Sequence, residues 1–108
     1  MPQVFTLSFA HDHVSAIGHF PGNPIIPGAV LLSDVVAAIC DAQRVPVMSF
    51  GVSSAKFLHP VRPGDIVAVS WQKRSNTEIH FDCLLDGTDT VVLTGALTGH
   101  LKSGGLPA

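Results

Sequence analysis

The sequence predicts an α+β domain, in which one antiparallel sheet curls around one apolar helix. Three observations support this fold class. A single stretch of helical length follows one strand-like segment and precedes four others, which are separated by turn sequences. The helical stretch "AVLLSDVVAAIC" carries apolar residues on all sides, so most of its surface is expected to be buried. A single sheet can provide that burial only if it bends around the helix.

The elements can be justified in order along the chain. Residues 4–9 alternate enough to form a strand, whereas "HDHVSAIGHFPGNPIIPG" is a loop because its glycines and prolines prevent regular structure. Pro27 and Gly28 begin the helix, since a proline in the first turn loses no hydrogen bond, and the helix ends near Gln43. Further strands are predicted at residues 47–57, 66–74, 78–86 and 90–101.

Length and composition limit the classes of protein to consider. The 108 residues suit one domain, spanning 1–108. Charged residues make up only 13% of the chain, which is about half of the usual fraction. Apolar surface is therefore expected to be covered by another copy of the chain, in a homodimer or a higher oligomer.

The distribution of charged and apolar residues argues against several partners. The net charge is −2, and the six lysines and arginines are spread along the chain, whereas nucleic acids require a concentrated basic patch. No signal peptide is visible, and no apolar run is long enough to span a bilayer, so the expected location is the cytoplasm. Cys40 and Cys83 lack the spacing of metal ligands and are expected to be buried. No metal or cofactor is predicted.

The segment "HFPGNPIIPG" places His19 on a stiff turn. Histidine exchanges protons near neutral pH, so it can act as a general base. Pro21 restricts the turn and Gly22 supplies backbone angles that other residues disfavour, which holds His19 in one place. Gly28 lets a ligand approach the first helical turn, where free N–H groups suit an oxygen that gains negative charge.

The remaining histidines are more simply explained as structural or exposed residues. His59 precedes a turn that Asp65 is expected to form. His80 and His100 alternate with apolar residues in strands, so they are expected to face solvent. A metal-binding pair is conceivable in the first loop but lacks a nearby third ligand. The pair is His11 and His13, which flank Asp12.

Two motifs of the chain resemble a known family. "GHFPGNPIIPGAVLL" resembles the signature of the bacterial 3-hydroxyacyl-[acyl carrier protein] dehydratases of the FabZ and FabA type, and "AKFLHPVRPGD" resembles their next strand and turn. The matching pieces cover most of the chain between Val4 and Val69. The resemblance implies the hotdog fold, in which two subunits pair edge to edge and form their active sites at the interface.

The resemblance also implies a reaction and its residues. His19 would remove the α-proton of a 3-hydroxyacyl thioester, carried by acyl carrier protein or CoA. A helical carboxylate of the partner subunit would help the 3-hydroxyl group to leave as water, and backbone amides at the helix start would hold the thioester oxygen. The expected substrate-binding residues are Phe20, Gly22, Pro27, Gly28 and Ala29.

The chain departs from the family at the helical carboxylate. In the family this acid lies fourteen residues after the motif histidine, where this chain has Ser33, and the acid here is Asp34. One residue is roughly 100° of rotation on a helix, so Asp34 cannot simply replace it. A carboxylate buried on so apolar a helix would be costly, which favours a purpose for Asp34. Three explanations remain open: Asp34 or a water held by Ser33 completes the catalytic pair; the protein is a thioesterase or isomerase; or it is a non-catalytic subunit that binds acyl chains or pairs with an active dehydratase.

Overall fold

The computed structural model describes residues 3–9, 25–46 and 50–99, which form one helix and five strands. The bounds are β1 Gln3–Ser8, α1 Gly28–Ala42, β2 Phe50–Phe57, β3 Ile66–Lys73, β4 Glu78–Leu85 and β5 Val91–Gly99. This order confirms the predicted α+β class, and the bounds lie within a few residues of those expected. The expected start of β2, at residues 47–49, lies outside the described residues.

The five strands form one antiparallel sheet in the order β1-β3-β4-β5-β2. The three central strands each pair on both sides, whereas β1 pairs with β3 alone and β2 pairs with β5 alone. A bulge between Val52 and Ser54 interrupts the pairing of β2 with β5. Because a bulge bends its strand and increases the local twist, β2 departs from a flat continuation of the sheet. The sheet thus has two edges, β1 and β2, of which only β2 is irregular.

The core lies between the helix and the inner face of the central strands. In β3 and β4 buried residues alternate with more exposed ones, as expected for a strand with one covered face. One stripe of the helix packs into the same cluster. The strand residues of this core are Val67, Val69, Trp71, Ile79, Phe81, Cys83, Val92, Leu93 and Leu97, and the helical ones are Leu31, Val35, Val36, Ile39 and Cys40.

The helix is covered along one side, which corrects the expectation that it is buried on most sides. The opposite side consists of small or polar residues that are exposed: Ala29, Ser33, Asp34, Ala37, Asp41 and Ala42. Alanine is compatible with either environment, so these positions looked apolar in the sequence although no described residue covers them. The carboxylate of Asp34 is therefore exposed, and the desolvation cost expected for it does not arise.

Hydrogen bonds gather the start of the helix, the end of β1 and the loop after β2 into one corner of the domain. The N–H of Ile26 donates to the carbonyl oxygen of Val61 at 2.7 Å. Asp65 forms the predicted turn, because its Oδ2 accepts the backbone N–H of Arg62 at 2.8 Å. The N–H of Phe9 donates to the carbonyl oxygen of Asp65 at 3.1 Å. The loop after β2 is thus anchored both to the helix start and to the end of β1.

Candidate active site

A pocket of about 500 Å³ opens beside the amino end of the helix. Its walls are the segment that leads into the helix, the first helical turns and the loop that follows β2. Most of the side chains are apolar, so the pocket suits an acyl chain or another apolar group. The lining residues are Ile25, Ile26, Gly28, Leu31, Phe57, Leu58, His59, Pro60 and Val61.

Gly28 and Phe57 meet at the wall of this pocket. A Cβ atom on residue 28 would lie 2.9 Å from Cε1 of Phe57, which is closer than side chains pack. The missing side chain of Gly28 therefore makes room for the phenyl ring. The sequence predicted that this space would admit a ligand, and it gave no sign that Phe57 fills part of it. The reason is that residues 28 and 57 meet only in the folded chain.

The first turn of the helix leaves two backbone amides unpaired. Pro27 is the N-cap, no side chain caps the helix, and the N–H groups of Val30 and Leu31 both donate to the carbonyl oxygen of Pro27, at 3.0 and 3.1 Å. The N–H groups of Gly28 and Ala29 have no hydrogen-bond partner among the described residues. Such amides carry the positive end of the helix dipole, so they can stabilise an oxygen that gains negative charge. Because Gly28 lines the pocket, this oxygen site borders the apolar space.

His59 is the one ionisable side chain among the described residues that line the pocket. Its Nδ1 atom lies 2.7 Å from the carbonyl oxygen of Pro60. A carbonyl oxygen only accepts, so Nδ1 must carry a hydrogen and donate it, which leaves Nε2 to exchange a proton or bond a ligand. The predicted exposure of His59 is confirmed, but its place beside a pocket was not foreseen. The available signal was its position between a strand end and a proline.

The two polar helical residues singled out from the sequence do not line this pocket. Ser33 and Asp34 are exposed, and neither side chain forms a hydrogen bond or ion pair with another described residue. Ser33 lies five residues beyond Gly28, which is about 7.5 Å further along the helix axis. Within one chain, therefore, neither residue is brought to the pocket at the helix start.

Several predicted residues lie outside the described part of the chain. Residues 10–24 contain the predicted base His19 and the predicted substrate-binding residues Phe20 and Gly22. They also contain the conceivable metal pair, and His100 lies beyond the last described residue. Of the remaining predicted residues, the structure places three in the first turn of the helix or directly before it, and their roles toward a substrate stay predictions. These residues are Pro27, Gly28 and Ala29.

Titratable groups elsewhere in the described residues offer no second centre. Nε2 of His80 lies 3.2 Å from Oε1 of Glu78, with the histidine 40% exposed as predicted. Both cysteines are buried, also as predicted. Burial raises the pKa of Cys83 to about 12, with a smaller contribution from Asp82, and burial also raises the pKa of Cys40, so both thiols stay protonated and unreactive. No described group of His, Cys, Asp and Glu residues could hold a metal ion, and no described helix is long and apolar enough to cross a membrane.

The sheet, the single helix and the pocket at the helix start define the class of the protein as a hotdog domain. The dehydratase heterocomplex ApeI:P from Xenorhabdus doucetiae superposes with a TM-score of 0.69 at 20% identity, over 90% of this chain and 85% of that one. A 1,4-dihydroxy-2-naphthoyl-CoA thioesterase from Synechocystis superposes with a TM-score of 0.64 at 11% identity, over 99% of this chain and 90% of that one. At these identities the likeness shows the fold.

The family follows from sequence similarity. Residues 3–96 match the ApeI-like family, described as ApeI dehydratase, and the chain belongs to that family. It is 33% identical over 99 residues to the 3-hydroxyacyl-[acyl-carrier-protein] dehydratase FabZ of Ehrlichia canis, and 41% identical over 95 residues to that of Ehrlichia chaffeensis. Each match covers 80% of this chain, which spans 66% and 65% of the two relatives. The resemblance based on the two motifs is thus confirmed.

Proposed function

We propose that the protein dehydrates 3-hydroxyacyl thioesters to trans-2-enoyl thioesters. The observation that carries this proposal is the pocket at the helix start, which combines apolar walls with two backbone amides that have no partner among the described residues. An acyl chain fits the walls and a thioester oxygen fits the amides. Membership of a dehydratase family, and relatives named as 3-hydroxyacyl-[acyl-carrier-protein] dehydratases, support the same reaction.

The reaction needs a base, a site for negative charge and a proton for the leaving group. His19 is the proposed base, which removes a proton from C2 of the acyl chain. The amides of Gly28 and Ala29 are proposed to stabilise the thioester oxygen while it carries the released charge. The electron pair then forms the double bond between C2 and C3, and the 3-hydroxyl group leaves as water. The residues proposed to border the acyl chain are Phe20, Gly22 and Pro27.

The substrate is proposed to be carried by acyl carrier protein or CoA. The curated relatives are named for substrates on acyl carrier protein, and both carriers present the acyl group as a thioester. Loss of water from a 3-hydroxyacyl group transfers no electrons between substrate and protein, so the reaction calls for no redox cofactor. We place it in the cytoplasm, as expected from the sequence.

We further propose that two copies of the chain pair through β2 in a homodimer. Among the described strands, β2 has a hydrogen-bonding neighbour on one side only, and all of its residues after Phe50 are exposed. The apolar side chains of Val52 and Phe57 are 45% and 49% exposed. An open apolar edge of this kind is a template on which another strand can pair. A second copy would cover the edge and join the two sheets.

In such a dimer, Asp34 and Ser33 of one subunit would reach the pocket of the other subunit, and only in this way can they belong to the proposed site. Both side chains are exposed and do not line the pocket of their own chain, so each would serve the pocket of the partner. Asp34 would protonate the leaving hydroxyl group directly, whereas Ser33 would do so through a bound water. These two residues are the candidates that the sequence offers for the acid.

The proposed reaction is tested by conversion of 3-hydroxybutyryl thioesters to crotonyl thioesters, on acyl carrier protein and on CoA. The wild type is expected to be active, and His19→Ala to lower the rate by about 10²–10⁴-fold because the base is lost. His80→Ala is the matched control, since that histidine is partly exposed beside Glu78 and does not line the pocket. A wild type that converts no thioester, at several chain lengths and on both carriers, would contradict the dehydratase assignment.

A thioesterase is the second candidate, favoured by the shared fold of the Synechocystis thioesterase. The same amides would stabilise the oxygen during hydrolysis of a thioester. Dehydration leaves the thioester intact, whereas hydrolysis releases a free thiol, which can be measured in the same reaction mixture. Thiol release without enoyl product would assign a thioesterase. Binding of an acyl thioester with neither product would assign a non-catalytic acyl-binding subunit.

A further inference from the structure

We propose that His59 supplies the proton with which the 3-hydroxyl group leaves as water. The proposal rests on the dehydration proposed above and assigns its acid to the pocket itself. It differs from both candidates that the sequence offers, because His59 belongs to the loop after β2 and not to the helix.

The elimination needs a proton donor, and the helix of the same chain places none among the described residues that line the pocket. Hydroxide is a poor leaving group, so the oxygen on C3 must gain a proton as it departs. Ser33 occupies the position of the acid in the resembling family, and Asp34 is exposed away from the pocket. Among the nine described residues that line the pocket, only His59 has a side chain that can deliver a proton to a leaving group.

The hydrogen bond of the imidazole determines which nitrogen can act. Nδ1 lies 2.7 Å from the carbonyl oxygen of Pro60, which can only accept a hydrogen. Nδ1 therefore keeps its hydrogen whether the ring is neutral or charged. Nε2 alone exchanges a proton, so the ring has a single defined donor for the leaving group.

The backbone on either side holds His59 at the pocket. Before it, the N–H of Leu58 donates to the carbonyl oxygen of Val92 at 2.9 Å. After it, the carbonyl oxygen of Val61 accepts the N–H of Ile26, which leads into the helix. Only His59 and a proline, whose φ angle is restricted, span the interval between these two anchors. The imidazole is thus attached to a short segment that is tied both to the sheet and to the helix start.

The proposed step begins with His59 as the imidazolium, with a hydrogen on each nitrogen. His19 takes the proton from C2, and the electrons of that bond become the second bond between C2 and C3. The bond between C3 and oxygen breaks with its electron pair on oxygen, which takes the Nε2 proton and leaves as water. His59 ends neutral and His19 ends protonated. One proton must therefore pass from His19 to His59 through solvent before the next turnover.

The test compares two leaving groups that give the same product. The probes are the 3-hydroxybutyryl and 3-chlorobutyryl thioesters of pantetheine, since chloride departs without a proton. His59→Asn removes Nε2 but retains an amide N–H near the position of Nδ1, so the bond to Pro60 can persist. We expect kcat on the hydroxy substrate to fall about 10²–10⁴-fold, and kcat on the chloro substrate to fall less than about threefold. His19→Ala is expected to lower both rates, because both eliminations need the base.

The matched control is His80→Asn, the same change at a partly exposed histidine outside the pocket, and it is expected to leave both rates unchanged. Three results overturn the role of His59 while the dehydration stands. They are a full rate of His59→Asn on the hydroxy substrate, an equal loss on both substrates, or a loss confined to the hydroxy substrate in Asp34→Asn. If the wild type eliminates neither water nor chloride from these substrates, both the proposed dehydratase activity and the proposed role of His59 are contradicted.

Discussion

Strands β2 and β4 have the same length and opposite surroundings. Each has eight residues. Strand β4 buries Ile79, Phe81 and Cys83 on its inner face, whereas β2 buries Phe50 alone and leaves Val52 among its exposed residues. The difference comes from their places in the sheet, because β4 has a strand on either side and β2 has one neighbour.

The comparison separates the strands whose apolar residues are buried within one chain from the strand whose apolar residues stay exposed. The central strands and the helix bury their apolar residues against one another within one chain, so this core accounts for most of the stability of the domain. The edge strand leaves its residues exposed after Phe50. Five of the nine described pocket residues come from its last residue and the loop that follows: Phe57, Leu58, His59, Pro60 and Val61. No pocket residue comes from β3 or β4. We therefore expect dimer formation and the proposed reaction to take place at strand β2 and the loop that follows it.

The largest expected effect is a loss of stability on substitution in the central strands of the sheet. Phe81→Ala should lower the free energy of unfolding by about 3–5 kcal/mol, because it removes a ring that is 1% exposed and leaves a cavity. Urea-induced unfolding followed by circular dichroism measures the change. Val4→Ala, at a residue 67% exposed on the opposite edge strand, is the control and should cost less than about 0.5 kcal/mol. Similar losses for both variants would mean that the centre does not dominate the stability.

The fold could be predicted from the sequence because its signals are local. The Pro27-Gly28 pair, the apolar helical run and the turn sequences each act within a few residues. The exposed side of the helix could not be predicted, because alanines such as Ala37 are compatible with either environment. The exposure of β2 was equally hidden, since Val52 and Phe57 have the composition of a buried strand and only their neighbours in space decide otherwise.

The candidate site was predicted only where it is contiguous in the chain. The helix start was recognised because its proline and glycine form one uninterrupted motif. The contribution of His59 was missed, because it depends on a pocket formed between residues 25–31 and 57–61, and nothing in the chain signals that these segments meet. The contact between Gly28 and Phe57 was hidden for the same reason.

An intermediate effect is expected on the dimer when the exposed edge strand β2 is changed. Val52→Lys should raise the dissociation constant of the homodimer at least about tenfold, which is about 1.4 kcal/mol, because a charge on an open edge opposes strand pairing. Size-exclusion chromatography with light scattering, over a dilution series, measures this change. Val4→Lys places the same charge on the other edge strand and should leave the dimer intact. A dimer that survives Val52→Lys and dissociates with Val4→Lys would move the interface to β1.

The smallest expected effect is a loss of stability at alkaline pH, caused by the thiols buried in the core. Burial raises the pKa of Cys83 to about 12 in the folded chain, from an ordinary value of 9.0. The folded state therefore holds this proton more tightly, so stability is fully present below pH 9 and falls as the pH rises from about 9 toward 12. Between pH 8 and pH 9.5 the free energy of unfolding should fall by about 1 kcal/mol.

The double variant Cys40→Ala with Cys83→Ala provides the control for this pH dependence, which is measured by urea unfolding at each pH. It should lose most of the fall, because both buried thiols contribute to it. If the free energy of unfolding fell by the same amount in the double variant, the buried thiols would not cause the pH dependence. Water would then reach the core between the sheet and the helix, and the contrast with the exposed strand β2 would be weaker.

The contact between Gly28 and Phe57 has a consequence for how this protein can evolve. A methyl group on residue 28 would meet a ring that is half exposed, so the ring can turn aside and the domain can still fold. The ring is a wall of the pocket, and its displacement alters the shape available to a substrate. Selection for a different acyl group can therefore act through a single substitution at residue 28, without disturbing the packed interior on which folding depends.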